Sequence, residues 1–381
     1  EIAALKNGVG GIYPDIDGIP ALKTEMSRFA KLFLNVEIAP AYCVPTVGSM
    51  HGGYVSFMVS TRRYIERDTV LFLDPGFPVH KQSVKMLGLK QQSLDVYNCR
   101  GAKKLKEQLQ KVITPRVSAI LYSNPNNPAW ICFTEEELQV IAEIADSYNI
   151  VIIEDLAYIA MDFRQDLSIP GKAPFQPTVA RYTKNYLLLV SSSKAFSYAG
   201  QRIGMMLISE KLYKQDFPGL SLYFPTNNFG HSIIYGALYA TTAGTAHSAQ
   251  YALAAILKEV NDGSYNFVQV VREYGEKAAI IKQHFLNNRF KIVYDMDGDR
   301  PIGDGFYFTF SYPGFDGKQL VEKLLYYGIS AIALCNTGSE RHEGVRACVS
   351  LISREQIPEL KTRLEKFNQD HALSTSTSLP L

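Results

Sequence analysis

Four short apolar runs, each ending in a polar cluster, constrain this chain most. Residues 69–73 lead into Asp74-Pro75-Gly76-Phe77-Pro78-Val79-His80, and residues 117–122 into Ser123-Asn124-Pro125-Asn126-Asn127-Pro128. Residues 150–153 lead into Glu154-Asp155-Leu156-Ala157-Tyr158, and residues 186–190 into Ser191-Ser192-Ser193-Lys194. Unbroken apolar runs of this length read as strands buried on both faces. A helix lies between the second and third, where Thr134 and Glu137 form a capping box ahead of an amphipathic stretch to Tyr148. Alternation of strands and helices predicts an α/β fold whose mostly parallel sheet is sandwiched by helices. Ligands gather at the carboxyl ends of such strands. Phe77, Asn127, Asp155 and Lys194 should therefore share one edge.

Other segments extend the pattern. A helix is expected over 21–34, and a second opens at Thr46-Val47-Gly48-Ser49-Met50-His51 and runs to about residue 64. Glycine and serine at a helix start leave free backbone N–H groups, which suits either an ordinary cap or an anion site. Lys194 stands among hydroxyl side chains, with Arg202 eight residues on, and the apolar run 203–208 follows without room for a helix. Two long helical patterns, 245–262 and 264–288, lead to a strand (305–311), a helix (316–327), strands near 329–333 and 345–351, and a final helix from 353. That order predicts a smaller α/β domain at 263–370 beside a large domain at 1–262, whose residues 1–20 form a short arm. Residues 371–381 are rich in serine and threonine and are expected to be disordered. Arg346, with Val345 and Val349 as apolar neighbours, requires an anionic partner.

Composition excludes several roles. The 39 basic and 37 acidic side chains nearly cancel, so nothing favours nucleic acid or a membrane surface. No apolar run approaches the length of a membrane span. The five cysteines lack metal-ligand or redox spacing. Free thiols, no metal and a cytoplasmic location are the expectation. Because the chain opens on Glu1 rather than Met, an upstream segment remains open.

A lysine at the mouth of a sheet can serve as an amine nucleophile when desolvation lowers its pKa, and serines with an arginine suit a phosphate. Taken in order, these motifs resemble the fold-type I, pyridoxal-phosphate (PLP)-dependent aminotransferases of class I/II, aspartate aminotransferases in particular. The resemblance spans residues 10–363. Asn124-Pro125-Asn126-Asn127-Pro128 is similar to the family's asparagine turn, and Asp155-Leu156-Ala157-Tyr158 to its Asp-x-Ala-Tyr motif. Ser191-x-Ser193-Lys194 with Arg202 matches the stretch that carries the cofactor lysine.

The resemblance implies roles for these residues. Lys194 holds PLP and shuttles a proton, Asp155 pairs with the pyridine nitrogen, and Asn127 and Tyr158 bond the phenolic oxygen. Phe77 stacks on the ring, and His80 supports the aspartate. Gly48, Ser49, Met50, Ser191, Ser193 and Arg202 bind the phosphate, joined by Tyr13 from across a homodimer interface. Arg346, with Asn127, grips the substrate α-carboxylate.

The implied reaction passes the α-amino group of an L-amino acid, aspartate or glutamate being preferred, to a 2-oxo acid by a ping-pong Schiff-base route. A broad or aromatic specificity is an alternative, with Tyr307 near the substrate side. A PLP-dependent lyase, decarboxylase or oxidase is the first rival, because these motifs identify the cofactor but not the bond that breaks. A non-catalytic sensor domain is the second; it needs a basic DNA-binding module, which the net charge of +2 does not suggest. The chain departs from the family in two places. Ala129-Trp130 replaces Thr-Gly after the asparagine turn, which predicts a different course for that loop, and little sequence precedes Tyr13.

Overall fold

The computed structural model describes residues 1–372. The main sheet comprises β1 (Cys43–Thr46), β2 (Thr69–Asp74), β3 (Lys90–Asp95), β4 (Val117–Ser123), β5 (Val151–Asp155), β6 (Tyr186–Ser191) and β7 (Gly204–Ile208). Their spatial order is β1-β7-β6-β5-β4-β2-β3. Strands β2 to β6 run parallel, β7 runs antiparallel to β6, and β1 antiparallel to β7. From β2 the chain steps outward to β3 and then crosses back to β4, so the topological switch falls between β2 and β4.

Every residue of β4, β5 and β6 is buried, as their apolar runs require. Successive side chains enter opposite cores: Tyr186, Leu188 and Val190 of β6 pack on one face, Leu187 and Leu189 on the other. Two strands lacked such a signal. β3 is polar and largely exposed because it forms the sheet edge. β1 contains Pro45, which a ladder tolerates only at an edge. The helix Ala102–Val112 also went unpredicted, since only Leu105 and Leu109 of it are buried.

The remaining strands are β8 (Lys291–Ile292), β9 (Met296–Asp297), β10 (Arg300–Pro301), β11 (Tyr307–Ser311), β12 (Ile332–Ala333) and β13 (Val345–Cys348). A second sheet has the order β12-β13-β11-β8, and β9 pairs with β10 in a separate hairpin. The strands expected at 329–333 and 345–351 are shorter than predicted: β12 pairs with β13 only at Ile332 and Ala333, and β13 stops where its ladder with β11 ends at the Tyr307–Cys348 pair. Phenylalanines 285, 290, 308, 310 and 367 fill a third core beneath this sheet. The helix from Gly48 ends at Ser60, and the one from Pro20 is α-helical to Phe29 and π-helical from Ala30 to Leu34. The last helix, Ile357–His371, takes up His371, which was expected in a disordered tail. The rest of that expectation, residues 373–381, lies outside the described residues. Among the described residues, no helix is long and apolar enough to cross a membrane, and no cluster of side chains could hold a metal ion.

Candidate active site

The carboxyl ends of β4, β5 and β6 open on one cavity of about 210 Å³. Ser49, Met50, Phe77, Asn127, Asp155, Tyr158, Ser191, Ser193, Lys194, Arg202 and Arg346 line it, together with Ser123, Ala157, Ala199 and Tyr307. Gly48 and His80 lie just behind this lining. Tyr13 does not reach it and is 87% exposed.

β6 ends at Ser191, whose hydroxyl accepts the Ser193 N–H at 3.2 Å and starts the single helical turn Ser192–Ala195. The Ser192 hydroxyl donates to the Ile203 carbonyl at 2.5 Å and pins this turn to the entry of β7. Lys194 rides on the turn, its Nζ 5.1 Å above the centre of the Phe306 ring. Burial pushes its pKa below the ordinary lysine value; nearby Cys348 opposes the shift, and the positive Arg346 and Arg202 add to it. A larger neutral fraction makes the amine a better base and nucleophile.

Asp155 closes β5 and is 6% exposed. One carboxylate oxygen accepts the Ala157 N–H at 3.1 Å, and the other lies 3.2 Å from His80 Nε2. A carboxylate can only accept, so Nε2 carries the proton, and Nδ1 is left buried without a partner among the described residues. Gly53 gives the imidazole its room, since a Cβ there would sit 3.1 Å from the ring. Across the cavity, the Asn127 amide donates to the Tyr158 hydroxyl at 3.4 Å, which lies 2.9 Å from the Tyr307 hydroxyl. Burial first, then Tyr307, pushes the Tyr158 pKa well above the ordinary phenol value, so it stays a neutral donor.

Opposite this cluster is a concentration of positive charge. Among the described residues no side chain caps the helix Gly48–Ser60, which leaves its first N–H groups available. Arg202 lies against it: a Cβ on Gly48, whose φ is +69°, would come within 2.8 Å of the guanidinium. A Cβ on Gly204 would stand 3.0 Å from the Ser49 nitrogen. Arg202 donates to the Ala199 carbonyl at 2.7 Å and, among the described residues, joins no ion pair. Two glycines thus keep open a cradle of N–H donors and a guanidinium, an arrangement that suits an anion.

Arg346 on β13 is likewise without an ion-pair partner among the described residues. It donates to Asn127 Oδ1 at 2.8 Å and stacks 4.2 Å over the Tyr307 ring, while its Nε is buried with no partner. A half-buried guanidinium without a counter-charge suits a carboxylate. Tyr307, expected near the substrate side, lines the cavity, whereas Ser123, Ala157 and Ala199 were not anticipated as part of it. Tyr307 stands in an aromatic strand that reads equally well as core, and only the β11–β13 pairing brings it under Arg346.

The loop with Ala129-Trp130 keeps a closed turn. The Trp130 N–H bonds the Asn126 carbonyl at 3.1 Å, and the Asn126 N–H bonds the Ile131 carbonyl at 2.9 Å. Trp130 itself takes φ +62°, the left-handed conformation in which glycine is easiest.

A parallel sheet with lysine, carboxylate and anion cradle at its carboxyl edge has the architecture of the fold-type I enzymes. An aspartate aminotransferase from Thermus thermophilus superposes with a TM-score of 0.74 at 19% identity, over 96% of this chain and 90% of that one. An alanine aminotransferase from Pyrococcus furiosus gives 0.75 at 21% identity, over 97% and 86%. The chain belongs to the aminotransferase class I and II family, matching its sequence pattern over residues 1–364; the family's enzymes depend on PLP. A probable aspartate aminotransferase of Methanocaldococcus jannaschii is 27% identical over 318 residues, 82% of this chain and 74% of that protein. The aspartate aminotransferase of Bacillus subtilis is 27% identical over 204 residues, 53% of this chain and half of its own length.

Proposed function

We propose that this protein moves the α-amino group of an L-amino acid to a 2-oxo acid, with pyridoxal 5′-phosphate seated in the cavity at the sheet edge. One observation carries the reading. A desolvated amine, a buried carboxylate and two guanidinium groups that lack ion-pair partners among the described residues converge on a single space.

The donor set fits PLP, since the glycine-lined cradle suits a phosphate and Asp155 supplies the negative charge that a protonated ring nitrogen needs. When bound, PLP supplies an electron-withdrawing ring that spreads charge from the substrate's α-carbon. Arg202, Ser191, Ser193 and the N–H groups at Gly48, Ser49 and Met50 would hold the phosphate. Asp155, oriented by His80, would keep the proton on the ring nitrogen. Asn127 and Tyr158 would donate to the phenolic oxygen, and Phe77 would cover one face of the ring. Lys194 would anchor the cofactor through its amine. Once released, the same amine would take the proton from the α-carbon and return it at the cofactor's C4′. Arg346 would bind the α-carboxylate beside Asn127, and so present every amino acid in one orientation.

Aspartate or glutamate is the preferred donor in this reading, supported by the names of the M. jannaschii and B. subtilis relatives. Tyr13 would reach the phosphate of a second copy in a homodimer; its exposure leaves the phenol free to do so. A large domain at 1–262, a small one at 263–370 and a cytoplasmic location belong to the same proposal.

Absorbance spectra test it. Wild type reconstituted with PLP should show the band of lysine-bound cofactor near the visible edge, and Lys194→Ala should lack it. Adding L-aspartate without an oxo acid should convert wild type to the amine form of the cofactor. An unchanged band in Lys194→Ala would remove the lysine from its role. Ammonia or carbon dioxide release in place of the amine form would move the enzyme to a lyase, oxidase or decarboxylase.

A further inference from the structure

Trp130 is the sole tryptophan, 1% exposed, and sits in a backbone conformation that bulky residues disfavour. Something must hold it there. Its indole packs edge-on against Tyr158, with ring centres 5.5 Å apart, and against Tyr307 at 6.2 Å. Its pyrrole side lies directly on Gly305, where a Cβ would come within 1.9 Å of the ring. Indole Nε1 is buried and makes no hydrogen bond among the described residues, so the ring acts through shape.

The indole therefore separates two backbones. One is the asparagine turn, in which Asn127 precedes Trp130 by three residues. The other is the entry to β11, where Gly305 precedes Tyr307 by two. β11 pairs with β13 so that Thr309 opposes Arg346, and the Arg346 guanidinium rests on the Tyr307 ring. Both ends of the Asn127–Arg346 hydrogen bond are thus referred to the same ring.

We propose that Trp130 is a positioning residue for the substrate carboxylate, a spacer whose thickness sets Tyr307 against Tyr158 and, through Tyr307, sets Arg346 against Asn127. The proposal rests on the reading of Arg346 as the carboxylate fork. It adds that this chain aligns the fork with an indole wedged on a glycine, at a turn position where its family carries glycine. A thinner side chain lets β11 settle toward the turn, and Arg346 then meets the carboxylate out of register. Gly305→Ala acts from the other side by pushing the ring away.

The test compares Trp130→Phe, Trp130→Gly, Gly305→Ala and the double variant Trp130→Phe/Gly305→Ala as holoenzymes, with Arg346→Lys alongside. The readouts are KM and kcat over a panel of L-amino acids, and the Kd of 2-oxoglutarate for the PLP form, which cannot turn over without an amino donor. Trp130→Gly and Gly305→Ala should raise every KM and that Kd by about tenfold and by a common factor, with kcat changed less, because a misplaced fork weakens ground-state and transition-state binding alike. Trp130→Phe should be milder, and it should restore part of the loss in the Gly305→Ala background by making room for the new methyl. If Trp130→Gly does not fold, the other three variants decide. Thermal destabilisation with KM and Kd unchanged would make Trp130 core packing and overturn the proposal, as would a fall confined to kcat or no rescue in the double variant. If Arg346→Lys itself leaves every KM unchanged, the fork reading fails first; if it raises them while the Trp130 and Gly305 variants do not, only the spacer fails.

Discussion

Replacing Arg346 by lysine isolates the fork from the charge. Lysine keeps the positive charge near the carboxylate but has one compact ammonium where arginine has a planar pair of donors. In the structure one guanidinium nitrogen, Nη1, is taken by Asn127 at 2.8 Å, and Nε is buried and unbonded among the described residues. A carboxylate docking here would gain Nε and the second terminal nitrogen, and lysine can replace one of those two bonds. The lost bond is charge-assisted and partly desolvated, so it is worth about 1.5–3 kcal/mol, roughly 10- to 150-fold in kcat/KM. The stack on Tyr307 at 4.2 Å disappears as well, which places the expected loss in the upper part of that range. Because every L-amino acid carries the same α-carboxylate, the factor should be common to all of them. Steady-state kinetics on aspartate, alanine and phenylalanine with a fixed oxo acid checks this, and the ratios between substrates should stay within about twofold. A loss confined to aspartate would refute the reasoning, since Arg346 would then read a side chain.

Three further outcomes follow from the same geometry. Gly48→Ala should weaken PLP binding about tenfold in an absorbance titration, because alanine is strained at φ +69° and its methyl crowds the Arg202 guanidinium; unaltered affinity would argue that the cradle does not hold the phosphate. Glu154 is buried behind Asp155, and burial raises its pKa from 4.5 to about 7. The folded chain then keeps a proton that the unfolded chain releases, so this group lowers stability as pH rises between those values, and Glu154→Gln should flatten that slope in urea melts. An identical slope in the variant would mean that Glu154 titrates normally. Asp297 is fully buried between Arg100 at 2.5 Å and Arg164 at 2.7 Å. Asp297→Ala should cost about 3 kcal/mol, the low end for a broken buried pair, because Glu137 and Asp162 still hold the two arginines; a loss below about 1 kcal/mol in denaturant unfolding would count against the network.

Much of the candidate site was legible because a parallel sheet converts sequence order into spatial proximity. Asn127, Asp155 and Lys194 each follow an apolar run, and parallel pairing brings the ends of those runs to one edge. The capping box at Thr134 and Glu137 was equally local and formed as read. Edge strands were not legible: the polarity of β3 and Pro45 in β1 remove the apolar signal that marks a buried strand.

The amino-acid sequence by itself determined the fold class, the shared edge and the chemical kinds of group on it, because burial patterns and turn residues act over a few positions. Only the tertiary structure decided which groups meet. It joined Arg346 to Asn127 across 219 residues and Tyr158 to Tyr307 across 149. It also turned Trp130 from a departure in a turn into a ring wedged on Gly305. Such contacts depend on how the second sheet packs on the first, and packing couples residues that no local preference relates.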